Sequence, residues 1–176
     1  MQNDKLTLAG KYFGKYRGTV VNNADPMQMG RVQAIVPDVT GTLPASWAMP
    51  CVPLAGNQAG TCFLPQVGSG VWMEFEKGDP AFPIWVGCFW SNGAEMPSYA
   101  HAGIPASPNI VLQTAGQNTF VISDLPGPAG GIMLKSATGA SVIVNDAGIS
   151  IQNGKGASLV MTGPGVSINN GALEII

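Results

Sequence analysis

The groups able to do chemistry in this sequence are few and scattered. Its only histidine, His101, lies in His101-Ala-Gly-Ile-Pro-Ala-Ser-Pro108, with no cysteine nearby. A metal site needs several ligands converging on one point, and a Ser-His-Asp relay needs a base held by its neighbours. A lone histidine among Pro and Gly reads instead as a solvated loop residue. Glu74 and Glu76 form a close carboxylate pair, the arrangement used for glycoside cleavage. Two apart on an alternating strand, both fall on one polar face, where solvation is the simpler reading. Cys51, Cys62 and Cys88 are odd in number and sit among apolar residues, so buried, inert thiols and a reduced, cytosolic origin are expected. Gly127–Gly131 is followed neither by Lys-Ser/Thr nor by a helix, which argues against a phosphate loop. No serine occupies a nucleophile elbow. The expectation is a protein without catalytic residues, cofactor or metal, and not an enzyme.

The elements that would position such groups point the same way. Of 176 residues only 10% are charged, the net charge is −2 and the mean hydropathy is +0.21. So little charge implies that much surface is hidden in an assembly. Phosphate neutralisation needs a basic excess that is missing, so no nucleic-acid partner is expected. Trp47, Trp72, Trp85 and Trp90 could stack bases on a barrel, but barrel core or packing between subunits suits them better. The 24 glycines and 14 prolines suit short strands joined by turns. The opening Met1-Gln-Asn-Asp-Lys-Leu-Thr lacks the apolar core of a signal peptide, so synthesis in the cytoplasm is expected. The most apolar run, Pro83–Trp90, is too short to span a membrane.

All four tryptophans precede residue 91 and no aromatic follows Phe120. The first part therefore has the bulk for a compact core, and the last part suits thin layers. About five short antiparallel strands are predicted in the first part. They are Lys15–Asn22, Arg31–Val36 with Val32, Ala34 and Val36 on one face, residues 46–53, Gly70–Glu76 and Pro83–Trp90. In the fourth, Val71, Met73 and Phe75 face one way and Trp72, Glu74 and Glu76 the other. That number of strands fits a closed OB-type barrel over residues 12–92. Residues 1–11 form an arm, either a short helix or a loose segment, and 93–109 a linker or collar.

Residues 110–176 repeat. Gly139-Ala-Ser-Val-Ile-Val-Asn-Asp-Ala-Gly-Ile-Ser-Ile-Gln-Asn-Gly-Lys155 is followed at once by Gly156-Ala-Ser-Leu-Val-Met-Thr-Gly-Pro-Gly-Val-Ser-Ile-Asn-Asn-Gly-Ala172, an offset of 17 residues. Each copy holds two alternating strands between glycine turns. Such a unit has one apolar face and nothing to bury it against except copies of itself. Strands are predicted near 110–114, 118–123, 131–136, 141–145, 148–152, 157–162, 165–169 and 172–176. Between them, Asp124–Gly130 forms a loop. One face is aliphatic and the other carries Ser, Asn, Gln and Thr. The fold class is thus all-β: a five-stranded OB-type barrel, then a trimeric intertwined β-helix or β-prism.

Gly14-Lys-Tyr-Arg-Gly-Thr-Val-Val-Asn-Asn-Ala-Asp-Pro26 and Gly30-Arg-Val-Gln-Ala-Ile-Val-Pro37 resemble the start of the OB domain of contractile-tail spikes. Trp47-Ala-Met-Pro50, Ala55-Gly56, Leu64-Pro-Gln-Val-Gly68, Val71–Pro80 and Pro83-Ile-Trp-Val-Gly87 continue the likeness in order. The family includes baseplate assembly protein V of phages, the VgrG spikes of type VI secretion and the spikes of extracellular contractile injection systems. The resemblance implies a homotrimer on the tail axis, within a virion or an extracellular or cell-associated particle. It implies a baseplate hub joining the spike to the inner tube, a PAAR-type tip protein at the C-terminal end and transient contact with the target envelope. Some such tips bind iron through paired histidines, which this sequence lacks near its end. It is also too short for the lysozyme domain of some phage spikes and lacks VgrG's fused hub, so both are expected on separate proteins. Leu173, Ile175 and Ile176 are the candidate docking residues for the tip. The alternatives carried are a tail-associated peptidoglycan hydrolase and an OB-fold single-strand-binding protein.

Overall fold

A computed structural model of the chain describes residues 10–175. The expected arm at 1–11 lies almost wholly outside the described residues. The chain divides after Gly93 into two units.

The first unit contains β1 (Tyr16–Asn22), β2 (Gln33–Ile35), β3 (Met49–Pro50), β4 (Ala55–Gly56), β5 (Ala59–Gly60), β6 (Gly70–Phe75) and β7 (Pro83–Phe89). Five of these form one sheet in the order β2-β1-β6-β7-β3. Its two edges are tied together at Val32 and Ala48, which exchange backbone hydrogen bonds of 3.2 and 2.7 Å, so the sheet closes on itself. Period-2 alternation fills the barrel: Val20, Val32, Ala34, Val36, Ala48, Val71, Met73, Phe75 and Trp85 form its core.

Three expectations need correction here. The strands are not all antiparallel, because β3 runs parallel to β7, pairing Met49 with Ile84 and Pro50 with Trp85. A two-residue strand ending on a proline carries no pattern from which its direction could be read. Glu76 lies beyond β6 in a short 3-10 turn, so it does not share a strand face with Glu74. The three cysteines are exposed rather than buried. Cys51 and Cys62 flank the β4–β5 hairpin, whose apolar neighbours Leu54 and Phe63 are themselves exposed. Of the four tryptophans only Trp85 joins the core, while Trp90 is 58% exposed.

The second unit contains β8 (Ile110–Gln113), β9 (Thr119–Ser123), β10 (Gly131–Lys135), β11 (Ser141–Asn145), β12 (Gly148–Gln152), β13 (Ser158–Thr162), β14 (Gly165–Ile168) and β15 (Leu173–Ile175). They form a single antiparallel meander in chain order. The two copies of the repeat are the hairpins β11–β12 and β13–β14, with strand starts at 141 and 148 in one and 158 and 165 in the other. Seven inter-strand steps of about 4.8 Å make the strip about 34 Å long. Gly131 and Gly148 are both left-handed, and an added Cβ would collide with the carbonyl oxygens of Val144 and Met161.

Candidate trimerisation face

The register of the meander decides which side chains share a face. Directly paired residues line up across all eight strands. One row runs Leu112, Phe120, Leu134, Val142, Ile151, Leu159, Ile168, Leu173. The second runs Ile110, Ile122, Ile132, Val144, Ile149, Met161, Val166, Ile175. Every strand contributes two large apolar side chains to this face, and neither row contains a charge or a hydrogen-bonding group.

Within one chain the face is uncovered. Ile110, Leu112, Ile132, Leu134, Val142, Val144, Ile151, Leu173 and Ile175 are all exposed, Leu112 at 51% and Ile175 at 56%. A half-exposed Leu or Ile gains on the order of 1 kcal/mol on full burial, so covering the face is worth on the order of 10 kcal/mol per chain before association costs. A continuous apolar strip of this length marks a surface built to be buried.

The opposite face is mixed. Its flanking positions hold Gln113, Thr119, Lys135, Ser141, Gln152 and Ser158. Its central row starts apolar at Val111, Val121, Met133 and Ile143, then becomes Ser150, Val160, Ser167 and Glu174. Thr119, Val121 and Ser123 are buried in the single chain. Nearby, the Lys135 ammonium donates to the Tyr99 hydroxyl at 3.1 Å, and Asn109 Nδ2 donates to the Tyr99 carbonyl at 2.9 Å. The first contact fastens the 98–109 stretch, which includes the 3-10 turn Ser98–His101, to β10, and the second ties the two ends of that stretch together.

The expected docking residues are distributed by the same register. Leu173 and Ile175 end the two apolar rows, while Glu174 between them is on the opposite face. Ile176 lies outside the described residues. His101 is exposed at the end of its turn, and Glu74 is paired with Lys15 on the barrel. Among the described residues no group of three His, Cys, Asp or Glu side chains could hold a metal ion.

Two clusters on the barrel were not anticipated from sequence. The Asp25 carboxylate, only 3% exposed, accepts both Arg31 Nε (3.0 Å) and Nη2 (2.6 Å), as well as the backbone N–H groups of Met27, Met29 and Arg31. Arg31 above all, with these N–H donors, holds the carboxyl well below the usual carboxylate range, against the opposing cost of burial. The Arg17 guanidinium lies over the contacting rings of Trp72 and Phe89, 4.9 and 4.7 Å from their centres, which are themselves 5.0 Å apart. An Asp and an Arg six apart across Pro and Gly signal the first; the second depends on a ladder between distant strands.

Comparison with protein families matches both units. Residues 16–90 fit the type VI secretion system/phage-baseplate injector OB domain. Residues 109–174 fit the phage baseplate V C-terminal trimerisation domain. No curated protein matches the chain. Among the described residues no helix is long and apolar enough to cross a membrane. With an injector OB domain on the closed barrel and a trimerisation domain on the apolar strip, the chain belongs to the phage baseplate V family of trimeric baseplate spike proteins.

Proposed function

We propose that the chain is the non-catalytic central spike of a contractile injection apparatus, a homotrimer at the tip of the tube that is driven into the target envelope. The observation that carries this reading is the unbroken pair of apolar rows on the domain matched to baseplate trimerisation. Three copies facing inward form a prism with a dry aliphatic axis. Every internal strand has both backbone edges satisfied within its own chain, so the three chains meet through side chains. Each ladder bond is worth only on the order of 1 kcal/mol net, and stiffness comes from their number in three strips acting together.

In this reading a baseplate hub joins the barrels to the inner tube. A PAAR-type tip protein docks at the far end, on the outer edge of β15 with Leu173, Ile175 and Ile176. A sheet edge with apolar side chains offers both backbone and packing contacts to such a cap. The membrane is met only during firing, and no catalytic group is required because contraction supplies the work.

Cryo-electron microscopy of the intact particle tests the assignment. Density for three copies on the tube axis at its distal end supports it, and density off the axis overturns it. The non-catalytic part is tested by a zymogram on peptidoglycan, where clearing by the pure protein contradicts it.

A further inference from the structure

The two copies of the repeat open alike in backbone as well as in sequence, although the central turn of the first also holds the 124–130 loop through Asn145 and Asp146. Gly139 and Gly156 open them with the same left-handed backbone, at φ of 93° and 104°. Each is followed by Ala and Ser, and in both the alanine makes the same two bonds to the preceding turn. Ala140 accepts from the Ser136 N–H at 2.8 Å and donates to Ser136 Oγ at 3.1 Å. Ala157 accepts from the Asn153 N–H at 3.1 Å and donates to Asn153 Oδ1 at 3.0 Å. The strands that follow keep the rows: Val142 and Val144 in one copy correspond to Leu159 and Met161 in the other, and Ile151 and Ile149 to Ile168 and Val166.

From this equivalence we infer that the 17-residue hairpin is the length unit of the trimerisation domain, removable or repeatable without disturbing the remaining register. The inference rests on the trimer reading above. Excising 139–155 joins Thr138 to Gly156 and regenerates the turn Ser-Ala-Thr-Gly-Ala-Ser. Lys135 would then pair with Ser158, Leu134 with Leu159 and Ile132 with Met161, so every apolar residue stays in its row. Because a hairpin contains two strands, all later strands keep their direction and their turns remain on the same long edge. The exchanged row residues are all aliphatic or Met, with Leu159 and Met161 larger than Val142 and Val144, and the apolar pattern is kept, which is the first requirement of a tolerated repacking. A unit of two strands spans about 9.6 Å of the strip. Needle length is thus set in steps of one hairpin, as in other stacked repeats where each unit contacts only its neighbours.

The test uses the full chain, a variant lacking 139–155, a variant with one extra copy of 139–155, and a variant lacking only 139–147. The last removes one strand and reverses the direction of all that follow. Mass is read by light scattering and needle length by electron microscopy. The 17-residue deletion and insertion are expected to remain trimers, shorter and longer than wild type by about 10 Å, while the nine-residue deletion loses the trimer. A trimeric wild type whose 17-residue variants are monomeric or aggregated overturns the length unit. Survival of the nine-residue deletion as a trimer of normal stability also overturns it, since strand direction would not matter. A wild type that is not trimeric instead overturns the trimer reading itself.

Discussion

Ile151 is paired directly with Leu159 across the ladder between β12 and β13, and this pair joins the two copies of the repeat. With the neighbouring pair Ile149–Met161 in the second row, the contact makes both apolar rows continuous where two independent hairpins would each have carried a separate patch. The continuous face is what three copies of the chain have in common to bury.

A charge in that face should therefore dissolve the trimer. Ile151→Lys places three ammonium groups at one level of a dry axis, each without a partner, at a cost of several kcal/mol per ion. The expected outcome is monomer or aggregate in light scattering. Gln152→Lys, one residue along on the opposite face, should leave the mass and the thermal midpoint within experimental scatter of wild type.

Glycine geometry sets a second expectation. Gly148→Ala forces a left-handed backbone on a residue with a Cβ and drives that carbon into the Met161 carbonyl oxygen. The change should destabilise the second unit by at least about 1 kcal/mol. Gly156→Ala shares the backbone penalty, but open space surrounds its Cβ, so it should cost less. Paired denaturation curves check the order of the two.

The barrel carries an acid-sensitive staple. Asp25 is depressed chiefly by Arg31. A carboxyl whose folded pKa lies below its unfolded value of about 3.9 stabilises the fold above that pH, and the contribution is lost as pH falls further. Wild-type barrel stability should decline below about pH 4, and Asp25→Asn should be less stable at neutral pH but show a shallower acid decline. Thermal scans from pH 2 to 7 read both, and parallel acid profiles for the two proteins would refute the staple.

The thiols give a further measurement. Cys51, Cys62 and Cys88 are all exposed, yet partial burial pushes the Cys88 thiol up. All three should be alkylated in the native protein. Cys88 should react several-fold more slowly near neutral pH and catch up as pH rises, because the thiolate is the nucleophile. Peptide mapping after timed labelling shows the order.

At the distal end, a variant truncated before Leu173 should keep the trimer, because seven strands of each row pair remain, and lose binding to its tip protein. Binding undiminished by the truncation would remove β15 from the docking surface.

Much of this fold was legible because its strongest signal is local. Val32, Ala34 and Val36, or Val71, Met73 and Phe75, reveal their inward face by alternation alone, and all but Phe75 are completely buried. The eight strands of the second unit were found within a residue or two for the same reason. What stayed hidden depends on contacts between distant segments. The parallel pairing of Met49–Pro50 with β7 leaves no periodic trace. The β4–β5 hairpin is built from Ala-Gly-Asn-Gln-Ala-Gly, without the branched residues that mark strands. Cys51, Cys62 and Cys88 have apolar neighbours in sequence that do not cover them in space, so their exposure leaves no local trace. For the apolar face, Val142, Val144, Ile149 and Ile151 were readable from the repeat. Ile110, Leu112, Phe120 and Ile122 were not joined to them, because the 17-residue spacing fails upstream while the ladder register continues across the longer loops.

The most direct test of the account is the mass of the purified chain in solution. Light scattering should give three times 18.1 kDa, held on dilution because the buried face is large. A well-folded monomer at 18.1 kDa, with the apolar rows left in water, would contradict it.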